Sequence, residues 1–156
     1  YAGHLLVGTA DRIDVDDEGH AVVLDYKASV SPEHELAVRE EGRLGKVQTL
    51  IYAQVARRML GLNPVGALYV CYGKRCAVTG AYDATALESP HLPSMRHDKC
   101  EFAPRNGESF ADLLDRTEEA IARGVERMLS GDVRPDPSSP HACTWCPVLS
   151  CTERRA

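Results

Sequence analysis

Asp11-Arg12-Ile13-Asp14 and Asp25-Tyr26-Lys27 are the residues of this chain best equipped for chemistry. Asp25 and Lys27 stand at the end of the apolar run Val22-Val23-Leu24, and residues at i and i+2 of a strand share a face. Asp11 follows a second apolar run, Leu5-Leu6-Val7. Between the runs, Asp16-Asp17-Glu18-Gly19-His20 has the glycine and acidic residues of a hairpin turn. Antiparallel pairing of the two runs brings Asp11 beside Asp25, with Lys27 one pleat further along. Two carboxylates and an ammonium converging at a strand end are costly to bury unless they hold a metal or one another. Their hard oxygens suit Mg²⁺ or Mn²⁺, with the backbone carbonyl of Tyr26 as a third ligand, and Lys27 is placed to orient or deprotonate a water or to steady a charged oxyanion. The plain alternative is an amphipathic hairpin with a surface Asp–Lys ion pair, since so short a motif recurs by accident. Asp14 falls on the opposite pleat from Asp11 and is expected to pair with Arg12 or another base; His4 is read as structural.

The elements that must position these groups follow from periodicity. A helix is predicted from about Lys46 to Leu60, with Leu50, Ile51, Val55, Met59 and Leu60 as its apolar stripe and Gly61 and Pro64 as its stop. Gln48 and Tyr52 stand four apart on it, one above the other on one face, while Arg57 and Arg58 are expected in solvent. Residues 31–45 read as loop with a helical piece. Two β-like runs, 67–72 and 76–82, surround Gly73-Lys74, a type II′ signal that sets Cys71 opposite Cys76 and Tyr72 opposite Arg75. Residues 83–107 form a long loop. Ser109 is placed to cap a helix over 110–129, with Leu113, Leu114, Ile121, Val125, Met128 and Leu129 on its buried side. An extended stretch over 134–140 then leads to Cys143, Cys146 and Cys151.

Composition sets the bounds. The 156 residues, 44% hydrophobic and 26% charged, suit one globular domain. No apolar run approaches the ~20 residues that span a bilayer, so no membrane partner is expected. The strand-like opening suggests a fragment cut from a longer polypeptide. A formal charge of −5 is unusual for a lone nucleic-acid binder. It is accounted for by acidic residues gathered at a metal site, or by a polyanion held largely by other parts of a parent protein. The six cysteines, three of them crowded at the end, do not read as a secreted disulfide framework, and a cytoplasmic chain with a metal-type cluster is expected. Cys143-Thr144-Trp145-Cys146 admits a redox pair, though no βαβ unit follows it, or half a zinc site with His141.

Taken together, Gly8-x-x-Asp11-Arg12-Ile13-Asp14, Asp25-Tyr26-Lys27, Gln48-x-x-x-Tyr52 and Cys143-x-x-Cys146-x4-Cys151 resemble the PD-(D/E)xK nuclease superfamily, and within it the RecB/AddB/Cas4-like group. The resemblance extends over nearly the whole chain. It implies an α/β fold with a restriction-endonuclease-like core, a mixed sheet flanked by helices, over residues 1–133, and a cysteine-rich tail over 134–156. It further implies metal-dependent hydrolysis of DNA phosphodiesters, as an exonuclease in repair and recombination, with a helicase domain or partner subunit in the parent protein. Asp11, Asp25, Lys27, Gln48 and Tyr52 would form the catalytic set, Asp11 and Asp25 holding the divalent ion and Gln48 and Tyr52 bracing the site. Relatives add a His or Glu ligand from a helix before the first strand, which this chain does not contain. By the same resemblance Cys143, Cys146 and Cys151 are three of the four thiolates of a [4Fe–4S] cluster. The fourth is expected upstream of Tyr1, so the cluster is expected in the full-length parent and not in this fragment. Relatives more often space the last two cysteines by five residues, where this chain has four.

Overall fold

The computed structural model describes residues 3–30, 46–73, 77–83, 85–86, 108–132, 134–135, 140–144, 146–152 and 154. One side of its sheet is a hairpin of the edge strand β1 (Arg12–Val15) and the inner strand β2 (His20–Lys27). Asp16 builds the turn. Its Oδ1 accepts the N–H groups of Glu18 and His20, and its Oδ2 lies 2.9 Å from His20 Nδ1, contacts that hold the Asp16 carboxyl below its ordinary value. An antiparallel pair grows outward from its turn, so the partners of Val22, Val23 and Leu24 are Asp14, Ile13 and Arg12. The earlier run Leu5-Leu6-Val7, expected to be the first strand, forms none and is exposed, Leu5 at 93%.

α1 (Gln48–Leu60) crosses to β3 (Asn63–Cys71), which runs parallel to β2, and β4 (Ala77–Tyr82) pairs antiparallel with β3. The order β1-β2-β3-β4 gives a mixed four-stranded sheet, with helices against it, the α/β architecture that the resemblance implies. Parallel neighbours require such a crossover, and the strands at the junction are apolar on both faces. Val23, Ala67 and Ala81 pack with Leu50 and Ala53 of α1 and with Leu113 and Leu114 of α2 (Phe110–Leu129). Val22, Leu24, Leu68, Val78 and Tyr82 make a second cluster.

α1 ends where the sequence indicates, with Gly61 left-handed at φ 67° and its N–H bonded to Ala56 O. Its buried face differs from the predicted stripe. Thr49, Leu50, Ala53, Gln54 and Ala56 are buried, whereas Met59 and Leu60 are exposed. Alanines bring a helix backbone close to a sheet in a way that larger apolar side chains prevent. Arg57 and Arg58, expected in solvent, form ion pairs with Asp115 and Glu118 of α2, and buried Gln54 donates to Leu114 O at 2.7 Å. Ser109 caps α2 as expected, in reciprocal bonds with Asp112 that hold that carboxyl below its usual value. The stripe of α2 is buried at Leu113 and Leu114, but Met128 and Leu129 are exposed.

At the β3–β4 end, Cys71 faces Ala77, not Cys76. The connection is longer than the two-residue turn predicted, and Cys76 itself lies outside the described residues, as do Cys100, residues 31–45 and most of 83–107.

Two compact units divide the chain, Tyr1–Ala122 and Arg123–Ala156. The second holds the last turns of α2 and a short helix, α3 (Pro140–Thr144). Within it Arg127 and Arg134 both bind Asp132, and Arg154 donates to the carbonyls of Cys146 and Val148.

Candidate active site

The hairpin register decides where the carboxylates go. Ile13 pairs with Val23 and packs into the same core cluster, so the alternation of β2 carries Asp25 to that face as well. Asp11 immediately precedes β1, one residue before the pair Arg12↔Leu24. Asp11 Oδ2 accepts the backbone N–H of Tyr26 at 2.9 Å, which ties the lead into β1 to the end of β2. Arg12, Asp14 and the Tyr26 side chain take the other face. Arg12 grips Asp14 in a two-point ion pair at 2.7 and 2.8 Å and reaches Tyr26 Oη at 3.3 Å. Asp14 therefore takes the partner expected from the sequence, and that clasp keeps it away from Asp11.

Asp25 is 1% exposed and Lys27 is about one-third exposed, and the two form an ion pair along one pleat. The Asp25 carboxylate raises the Lys27 pKa above its ordinary 10.5, with a smaller contribution from Asp11. Lys27 is therefore an ammonium at neutral pH in this arrangement. Its Nζ donates to Gln48 Oε1 at 3.1 Å, and Gln48 Nε2 donates to Tyr52 Oη at 3.3 Å. A relay thus runs from Asp25 through Lys27 and Gln48 to Tyr52, joining the sheet to the first turn and a half of α1. Of the five residues singled out from the sequence, Asp25, Lys27, Gln48 and Tyr52 are joined by this relay, and Asp11 is tied to the end of β2 through the Tyr26 N–H.

The chain belongs to the PD-(D/E)XK nuclease superfamily. Its sequence profile matches residues 2–151, and the Asp–x–Lys pair lies at the end of a central strand with a second carboxylate beside it. No curated protein and no solved structure matches the chain.

Whether this superfamily site suits a divalent ion can be tested on its oxygens. Asp25 Oδ2 is enclosed, and although the Lys27 ammonium lies against it, no well-directed hydrogen bond reaches it. A buried carboxylate oxygen of that kind has coordination capacity to spare. Among the described residues no three His, Cys, Asp or Glu side chains gather into a metal-holding group. Two carboxylates completed by water and phosphate oxygens are nevertheless a usual Mg²⁺ arrangement, so the donor set fits. Of the Tyr26 backbone, the N–H is engaged by Asp11.

Two contributors escaped the sequence reading as functional residues. A Cβ on Gly8 would lie 2.9 Å from Tyr52 Oη, so glycine is what lets the segment leading to Asp11 pass over that phenol. Its signal was its fixed place three residues before Asp11. Tyr69 of β3 lies in register with Asp25, and only the parallel pairing of β2 with β3 reveals it.

The cysteines of the tail behave differently. Cys143 is buried in α3, Cys146 and Cys151 are half-buried, and all three are free thiols. Cys146 N–H donates to Cys143 O at 3.4 Å, a local turn that leaves the three sulfurs outside any metal-type group among the described residues.

Proposed function

We propose that this chain is a metal-dependent deoxyribonuclease domain of the RecB/AddB type, an exonuclease hydrolysing DNA phosphodiesters in repair and recombination. The observation that carries the reading is Lys27 ion-paired to Asp25 and held by Gln48, with Asp11 bound to the Tyr26 N–H between them. Asp11 and Asp25, with the Tyr26 carbonyl as a third ligand, would hold the ion. A bound Mg²⁺ or Mn²⁺ supplies charge neutralisation at the phosphate and a water of lowered pKa. The chain's own residues do the rest. Lys27, charged and tethered by Gln48, steadies the negative charge that builds on the phosphate oxygens and orients the attacking water. Tyr52 braces Gln48.

The formal charge of −5 favours a parent assembly in which a helicase domain or partner subunit holds much of the DNA. Cys143, Cys146 and Cys151 supply three thiolates toward a [4Fe–4S] cluster whose fourth ligand lies elsewhere in that assembly. Free thiols throughout the described residues are in keeping with a reducing, cytoplasmic setting. A second reading, a nuclease-fold module that binds DNA or a partner without cutting, is favoured by the lack of a third acidic or imidazole ligand among the described residues.

Cleavage of an end-labelled DNA strand with Mg²⁺, Mn²⁺ or EDTA separates the two. The nuclease reading requires divalent-dependent release of nucleotides that Asp25→Asn abolishes with the far-UV spectrum unchanged. DNA binding without cleavage in either metal would favour the second.

A further inference from the structure

α1 begins without a cap of its own. Val47 occupies the N-cap position, offers no side-chain hydrogen bond, and no acidic residue stands in the first turn. The first N–H groups of a helix have no partner within it, and here they start inside the protein, where Thr49 is 1% exposed. Their partner comes from the sheet. Thr49 N–H donates to the phenolic oxygen of Tyr69 at 3.4 Å. Tyr69 is itself 1% exposed and is paired in register with Asp25 across the parallel junction. Its ring carries the Lys27 ammonium, with Nζ 5.9 Å from the centroid. Burial raises the Tyr69 pKa above its ordinary 10, so the phenol is neutral at neutral pH. One side chain therefore meets the Lys27 ammonium with its ring and, through its hydroxyl, the residue next to Gln48 in the first turn of α1.

We propose that Tyr69 is a positioning residue for the nuclease reaction: it sets the first turn of α1 against β2 so that Gln48 meets Lys27 with the ammonium beside Asp25. This rests on the reading of Asp25 and Lys27 as the reacting centre. A ring that merely fills the core could be replaced by phenylalanine at no cost to Lys27, because the volume is kept. A positioning phenol could not, because the Thr49 N–H in the first turn would lose its acceptor.

The test uses the full chain as wild type, Tyr69→Phe and Tyr69→Leu, with two readouts. The first is the rate at which an amine-reactive acetylating reagent modifies Lys27, measured by peptide mass spectrometry and divided by that of exposed Lys46 in the same sample. Loss of the cation–ring contact or of the Gln48 tether corresponds to roughly a two- to fivefold rise in that ratio, smaller for Tyr69→Phe than for Tyr69→Leu. The second is Mn²⁺-dependent cleavage, where kcat falls about tenfold for Tyr69→Phe with KM for DNA unchanged. An unchanged Lys27 ratio in Tyr69→Phe overturns the proposal, as does a loss of activity that only tracks a lowered melting temperature with kcat and KM moving together. If Tyr69→Leu fails to fold, Tyr69→Phe decides alone. If wild type fails to cleave in any metal, the nuclease reading falls, and the modification ratio still reports whether Tyr69 positions Lys27.

Discussion

The sheet end that carries Asp11, Asp25 and Lys27 and the tail that carries the cysteines are held by bonds of different reach. At the sheet end the linking hydrogen bonds join residues 15, 21 and 20 positions apart, Asp11 to Tyr26, Lys27 to Gln48 and Thr49 to Tyr69. Among the described residues of the second unit, the bonds from Arg154 to Cys146 and Val148 and from Arg127 and Arg134 to Asp132 span 8 positions or fewer. Long-range bonds inherit the rigidity of the core they cross, and they place a charged group against partners from several elements. Short-range bonds order only their own turn. The comparison teaches that the first unit carries a preorganised site, whereas the cysteine tail has local order that an added ligand would have to extend.

The largest effect should come from Asp11→Ala. It removes a proposed metal ligand and leaves the Tyr26 N–H without its acceptor, so metal-dependent cleavage should fall on the order of 10³-fold. Helicity and the melting temperature should change far less, because the core clusters are untouched; a large drop in melting temperature would mean that Asp11 serves the fold and not the site. Gly8→Ala comes next. Its Cβ meets the tip of Tyr52, a side chain that can give by a few tenths of an ångström, so a loss of about tenfold in kcat is expected with near-normal stability. Wild-type kcat in this variant would show that the passage over Tyr52 has slack.

Smaller effects belong to the tail. Arg154→Ala removes two bonds to carbonyls and should cost about 1 kcal/mol, felt only locally. Maleimide labelling of Cys146 should speed up while the melting of the sheet unit stays where it was. A shared shift of both would break the comparison. The smallest effect is a titration. Arg134 and Arg127 hold the Asp132 carboxyl well below its ordinary 3.8. A depressed folded pKa means the pair contributes above pH 3.8 and is lost as pH falls through the folded value. Amide exchange at Arg127 to Arg134 should therefore quicken below about pH 3.8, and Asp132→Asn should remove that dependence.

Legibility in the sequence followed the same division of reach. The juxtaposition of Asp11 with Asp25 was readable because a hairpin needs only a turn and two strands, although the strand itself was misplaced. Apolar residues at Leu5-Leu6-Val7 outweighed the short Arg12–Val15 segment, whose side chains are largely exposed, and the side chain of Asp16 that fixes the turn leaves no mark on hydropathy. Gly61 and the Ser109–Asp112 box fixed helix ends because caps are local chemistry. The buried face of α1 was not readable. Thr49, Gln54 and two alanines are buried there for reasons that belong to β3 and α2, which no helical period contains. The same holds for Tyr69, whose importance exists only once β2 and β3 lie side by side.

The parallel junction of β2 and β3 also has a kinetic meaning. The hairpin bearing both carboxylates and Lys27 closes around the short turn at Asp16, the kind of event that takes microseconds. Gln48, Tyr52 and Tyr69 can reach it only after the chain has closed the much longer path through α1, for which the entropy must be spent before any contact rewards it. During refolding the acidic half of the site should thus gain amide protection before the helix-borne half. For that interval Lys27 lies beside Asp25 but without the tether that later fixes it.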